Sequence, residues 1–129
     1  MTQKTTKRIG WILSILVALL FAMSAMMKLT ANDSAVQQAT AVGIPVGTYT
    51  AIGIIELGSL ILFLIPRTGL LGGLFLIAYM GGAIATHLQH QQPVVMAIAV
   101  QAILWIAIAL RFPELLHRLW PSANKSQSV

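Results

Sequence analysis

The sequence predicts an all-α fold, an integral membrane four-helix bundle with both termini in the cytoplasm. Three observations predict it. Apolar residues make up 57% of the 129 residues and charged residues only 9%. Four apolar runs approach the length of a bilayer. The basic residues collect at one set of run ends. A soluble domain carries roughly 25% charged residues, and a chain this short cannot hide so much apolar surface in a soluble core. The solvent expected for its outer surface is lipid.

Residues 1–8 read as a cytoplasmic N-terminus, basic through Lys4, Lys7 and Arg8. Span one follows over residues 9–28. Its uncharged stretch Ile9–Met27 exceeds the ~7–15 residues of a signal-peptide apolar region and is expected to stay as an anchor. The loop "TANDSAVQQATAVGIP" offers Asn32, Asp33 and Ser34 as N-caps. A short helix is expected there, to about Val42, ended by Gly43 and Pro45. Span two covers residues 46–65 and carries a single charge, Glu56. Pro66 and Arg67 then make a tight turn, since proline removes a helix donor and clashes with the preceding turn. Span three covers residues 69–87 and span four residues 94–111. A bilayer core of ~30 Å needs roughly 20 helical residues, so these two are slightly short. Residues 112–121 read as an interfacial helix, with Leu115, Leu116, Leu119 and Trp120 toward lipid and Glu114, His117 and Arg118 toward water. Residues 122–129 read as a disordered tail.

Threading these spans back and forth sorts the charges. Lys4, Lys7, Arg8, Arg67, Arg111, Arg118 and Lys125 fall on one side and only Lys28 on the other. The positive-inside rule makes the basic side cytoplasmic. The net charge of +5 therefore reads as orientation, and no nucleic-acid partner is expected. The lipid bilayer is the expected partner. The absence of cysteine excludes disulfides, thiolate metal sites and cysteine nucleophiles.

Glu56 sits in the middle of span two. Helical spacing puts Tyr49, Ile52, Gly53, Ser59 and Phe63 on its face, a small and polar face that should point into the bundle, because a carboxylate facing lipid is costly. Span one offers a matching stripe, Ser14, Val17, Phe21, Ser24 and Lys28. Span three offers Gly72, Tyr79, Gly82, Ala83, Thr86 and His87, and span four Ala97, Gln101 and Trp105. Helical side chains lean toward their own N-terminus. Glu56 therefore leans outward, while Lys28 and His87 lean inward. A polar pocket of Lys28, Glu56, Tyr79, His87 and Gln101 is expected, with Lys28 pairing with Glu56 and with capacity for a ligand or a proton. Gly53, Gly72, Gly73, Gly81 and Gly82 are expected at helix–helix contacts. The small-residue series Gly69, Gly73, Gly81 and Ala85 would seat a helix of the same chain or of another protomer. His87 and His90 stand at i, i+3, but no third ligand of clear geometry accompanies them, so no metal is assigned. No phosphate loop, dinucleotide fingerprint or nucleophile elbow is present, and no catalytic residue is assigned.

"SAMMKLT", "GIIELGSLILFLIPRTGLLGG" and "AYMGGAIATHL", in that order, resemble the DoxX-like family of small four-span bacterial membrane proteins over roughly residues 9–111. The matching positions are Lys28, Glu56, Pro66, Arg67, Gly72, Gly81, Gly82 and His87. Ala25 departs from the pattern, where glycine is expected. The resemblance implies a multi-pass protein of the bacterial inner membrane, and it implies links to membrane redox processes without fixing an activity. Three readings stay open. One is a non-catalytic subunit or accessory factor with a membrane protein partner, or as a homo-oligomer. Another is a small proton-coupled transporter using Glu56. The third is an oxidoreductase with quinone in the polar pocket. No cofactor motif is identified, and quinone is the one cofactor class the pocket suggests.

Overall fold

The computed structural model describes residues 2–121, and every regular element among them is a helix. The order is α1 (Gln3–Thr30), α2 (Asp33–Ala41), α3 (Val46–Leu64), α4 (Gly69–Gln89), α5 (Val95–Arg111) and α6 (Pro113–Leu119). The expected tail, 122–129, lies outside the described residues, as does Lys125.

α1 begins at Gln3 rather than Ile9, so the basic residues lie on its first turns and not on a separate segment. Thr2 caps it, its hydroxyl accepting from the Thr5 amide at 3.1 Å. α1 ends at Ala31 in the left-handed region, φ 49°. α2 starts as expected, with the Asn32 side chain accepting from the Ala35 amide at 2.8 Å. Gly43, at φ 69°, turns the chain out of it. Between α3 and α4 the Pro66–Arg67 turn is tight. The Thr68 hydroxyl closes it by donating to the Leu62 carbonyl at 2.8 Å. Pro113 follows α5, and α6 leaves at 104° to it, because proline cannot continue the hydrogen-bond ladder of the preceding turn.

α1 packs against both α3 and α5, and α4 packs against both α3 and α5, while α2 rests on the α1 and α3 ends. The core between the four long helices holds Val17, Phe21, Leu60, Phe63, Leu76, Met80, Leu104 and Ile108. Close approach is set by glycine. A Cβ on Gly72 would lie 2.2 Å from the Phe63 backbone nitrogen, and one on Gly53 would lie 2.7 Å from Lys28 Cβ. Gly73 packs under Ile108. Gly81 and Gly82 differ from expectation. Both are exposed, and nothing lies within 4 Å of their Cβ positions. Of the small-residue series, Gly69 and Gly73 meet neighbouring side chains and Gly81 does not. On α5 the buried face passes through Leu104, Ala107, Ile108 and Arg111. Trp105 consequently turns outward. On α6 Leu115 packs partly against the core, while Leu116, Leu119 and Trp120 stay exposed.

The outer surface is as apolar as the core, and the interior also holds charged and polar groups. The fully or nearly buried set includes Ser14, Lys28, Glu56, Ser59 and Arg111, whereas Ile12, Leu16, Leu19, Met23, Ile54, Ile55, Phe75 and Met96 are exposed. Contiguous apolar surface on this scale marks contact with membrane or partner. Three helices (α1, α3 and α4) are long and apolar enough to cross a membrane, or up to four if the bent pair α5 and α6 counts as one span. The chain is a membrane protein with lipid against its outer surface.

Candidate functional site

Glu56 is 1% exposed and Lys28 7%. Both side chains are thus largely withdrawn from the surface, so each needs the other. Lys28 Nζ stands 3.0 Å from Glu56 Oε2 and donates to it. The Ser24 hydroxyl, one helical turn before Lys28, accepts from the ammonium and donates to the same Oε2 at 3.3 Å. The Tyr79 hydroxyl donates to Oε2 at 3.0 Å. Three donors from α1 and α4 thus meet one oxygen of α3. The other oxygen, Oε1, is buried with no hydrogen-bond partner among the described residues.

Aromatic rings enclose the ammonium. Lys28 Nζ lies 5.2 Å from the Tyr49 ring centre and 5.7 Å from that of Tyr79, within the ~6 Å reach of cation–π attraction. Tyr79 in turn meets Phe21 edge-on at 6.2 Å. Tyr49 donates to Gln38 of α2 at 2.9 Å, and Thr50 donates to the Lys28 carbonyl at 3.3 Å. The cluster therefore ties α1, α2, α3 and α4 at one end of the molecule.

Of the residues expected in the polar pocket, Lys28, Glu56 and Tyr79 come together. His87 and Gln101 take other partners. His87 Nδ1 pairs with the Ala83 carbonyl of its own helix at 2.7 Å, and His90 Nδ1 pairs in the same way with Thr86 at 3.0 Å. Both imidazoles therefore fold back onto carbonyls of their own helix, and the Thr86 carbonyl also accepts the His90 amide at 3.2 Å. Gln101 donates across to the Ile77 carbonyl at 3.3 Å, joining α5 to α4, and its Oε1 is buried without a partner. Among the described residues no three His, Cys, Asp or Glu side chains gather as a metal site. Ser24, on the expected span-one stripe, proves to be part of the Glu56 cluster.

A second buried charge lies at the opposite end of the helices. Arg111 is 5% exposed. Its Nη1 donates to the buried Ser14 hydroxyl at 3.2 Å, and its Nη2 has no partner. Three rings surround the guanidinium carbon, with Trp11 at 3.8 Å, Phe63 at 4.8 Å and Phe112 at 4.9 Å. Gly10 and Gly69 make the space, since a Cβ on either would lie within 2.9 Å of the arginine side chain. Arg111 was expected only as a charge on the basic side. Two signals in the sequence pointed further. Ser14 lies on the inward stripe of α1, and Gly10 and Gly69 stand where α1 and α4 meet Arg111.

A family model described as the DoxX-like family matches residues 12–110, a stretch that holds Lys28 and Glu56 and stops one residue before Arg111. No curated protein and no solved structure matches the chain. The match covers most of the sequence, and the chain belongs to the DoxX-like family.

Proposed function

We propose that this DoxX-like protein is a four-span bundle of the bacterial inner membrane, with both termini cytoplasmic. Its proposed role is that of a non-catalytic subunit or accessory factor serving membrane redox processes near the quinone pool. The observation that carries this reading is the use to which the polar groups are put. Lys28, Ser24 and Tyr79 all spend their donors on Glu56 Oε2, which clamps helices together and leaves the apolar outer faces as the surface for lipid and partner. Quinone binding would need Lys28 or Tyr79 to release Glu56 first, so an oxidoreductase reading ranks behind. The test is gentle solubilisation of native membranes followed by affinity purification and mass spectrometry. A membrane protein is expected at fixed stoichiometry, and it should be lost when exposed α1 positions such as Leu19 and Met23 are changed to charged residues. Recovery of the free chain alone would overturn the accessory role.

A second reading has its own observation. Glu56 Oε1 is a buried acceptor without a donor, and an intramembrane acid of this kind suits proton exchange. On this reading the chain is a small proton-coupled transporter. Proteoliposomes containing Glu56→Gln should then lose proton-driven uptake that the wild type retains. Equal uptake by both removes the proton role.

A further inference from the structure

Arg111 is a buried cation that the described residues leave without a counter-ion. Only Ser14 takes one of its hydrogen bonds, and Nη2 has none. Its surroundings are open on one side. A cavity of about 270 Å³ is lined by Lys7, Trp11, Pro66, Arg111, Phe112 and Glu114, close to the ~300 Å³ lower end of ligand pockets. Lys7 and Glu114 are exposed at its rim, while Arg111 forms its buried wall. The cavity sits where α1 begins, α3 turns into α4 and α5 bends into α6. In a membrane that end lies at the headgroup level, and Trp11 is a residue type favoured there.

The charges of the lining select the ligand. Two cations, Lys7 and Arg111, suit a phosphate, and arginine matches phosphate oxygens with paired donors. The acid Glu114 on the same wall disfavours a ligand that is only anionic. It suits one that carries an ammonium beside its phosphate. We infer that this cavity binds a phospholipid headgroup of the phosphoethanolamine type, phosphate on Arg111 and Lys7 and ammonium toward Glu114. The inference rests on the membrane-spanning reading and is independent of the accessory role.

The test uses the full chain in mixed micelles with phosphatidylethanolamine, phosphatidylcholine and phosphatidylglycerol of matched acyl chains. Retained lipid is read by native mass spectrometry. Wild type should retain phosphatidylethanolamine in preference to both others. Lys7→Gln should lower that retention about fivefold, as expected for one basic residue at a lipid surface. Glu114→Gln should bring phosphatidylethanolamine and phosphatidylglycerol level. Both positions are exposed, so folding does not obscure the result. Equal retention of the three lipids by wild type overturns the site. Displacement of bound lipid by millimolar inorganic phosphate would make free phosphate the ligand and overturn the lipid assignment. Cysteine labelling of membrane-embedded chain tests insertion separately, so a correctly inserted chain without lipid preference loses this site alone.

Discussion

Lys28 and Glu56 are each tolerable in the core only because the other is there. Removing one partner of a buried ion pair leaves an uncompensated charge and typically costs about 3–5 kcal/mol, whereas replacing both with apolar groups is often neutral or stabilising. Lys28→Met should therefore destabilise strongly, and Lys28→Met with Glu56→Leu should recover most of the loss. Thermal unfolding in detergent across the double-mutant cycle checks this, and simple additivity would exclude the pairing as a stabilising contact. At the other end Ser14→Ala removes the hydroxyl that Arg111 Nη1 uses. A hydrogen bond to a charged group is worth about 1.5–3 kcal/mol, so a fall in stability of that order is expected in the same assay. The two charges differ in how far they could be read from sequence. Glu56 stands alone in a long apolar run, and side-chain direction brings Lys28 to it. Arg111 ends a span, where a basic residue ordinarily faces headgroups. Its burial depends on Gly10, Gly69 and Ser14, contributed by two other helices, and no single helix pattern reveals that.

Helix interfaces here depend on which glycines face a neighbour. A methyl group on Gly72 would meet the Phe63 backbone, which cannot move aside, while Gly81 and Gly82 have open space. Gly72→Ala should prevent α3 and α4 from closing and lower the yield of folded protein. Gly81→Ala and Gly82→Ala should be neutral or gain about 0.5–1 kcal/mol through better helix propensity. Size-exclusion and melting measurements distinguish these outcomes. Destabilisation by Gly81→Ala that appears only in native membranes would locate a partner helix on that face. The existence of the helices was legible because uncharged runs and their turns bound them. The start of α1 was not, because Lys4, Lys7 and Arg8 lower the apolarity of turns that Thr2 nevertheless caps. The outward swing of Trp105 was not legible either. After Gln101 the buried face of α5 steps by three residues to Leu104, which joins the core cluster, rather than by four.

At the scale of the whole molecule the apolar outer surface and the charge asymmetry make one joint prediction about topology. The chain has no cysteine, so single cysteines can be introduced without a background. A cysteine at Arg67 should react with a membrane-permeant reagent only, and one at Asn32 or Gln91 should react with an impermeant reagent added from outside intact cells. Outside labelling at Arg67 would reverse the orientation, and labelling of Asn32 and Gln91 on opposite sides would break the four-span threading. The inside of this architecture was more legible than its outer partners, because an inward face is specified by residues of one chain and an outward face by whatever adjoins it. The ion pair also has a consequence for biogenesis. An acid at mid-span makes α3 a reluctant entrant to the bilayer, by roughly 2.5–3.5 kcal/mol for a central Asp on insertion scales. Synthesis delivers α1 first, with Lys28 and Ser24 already near its C-terminal end. The first helix then acts as a template for the third, its lysine waiting for the acid that α3 brings.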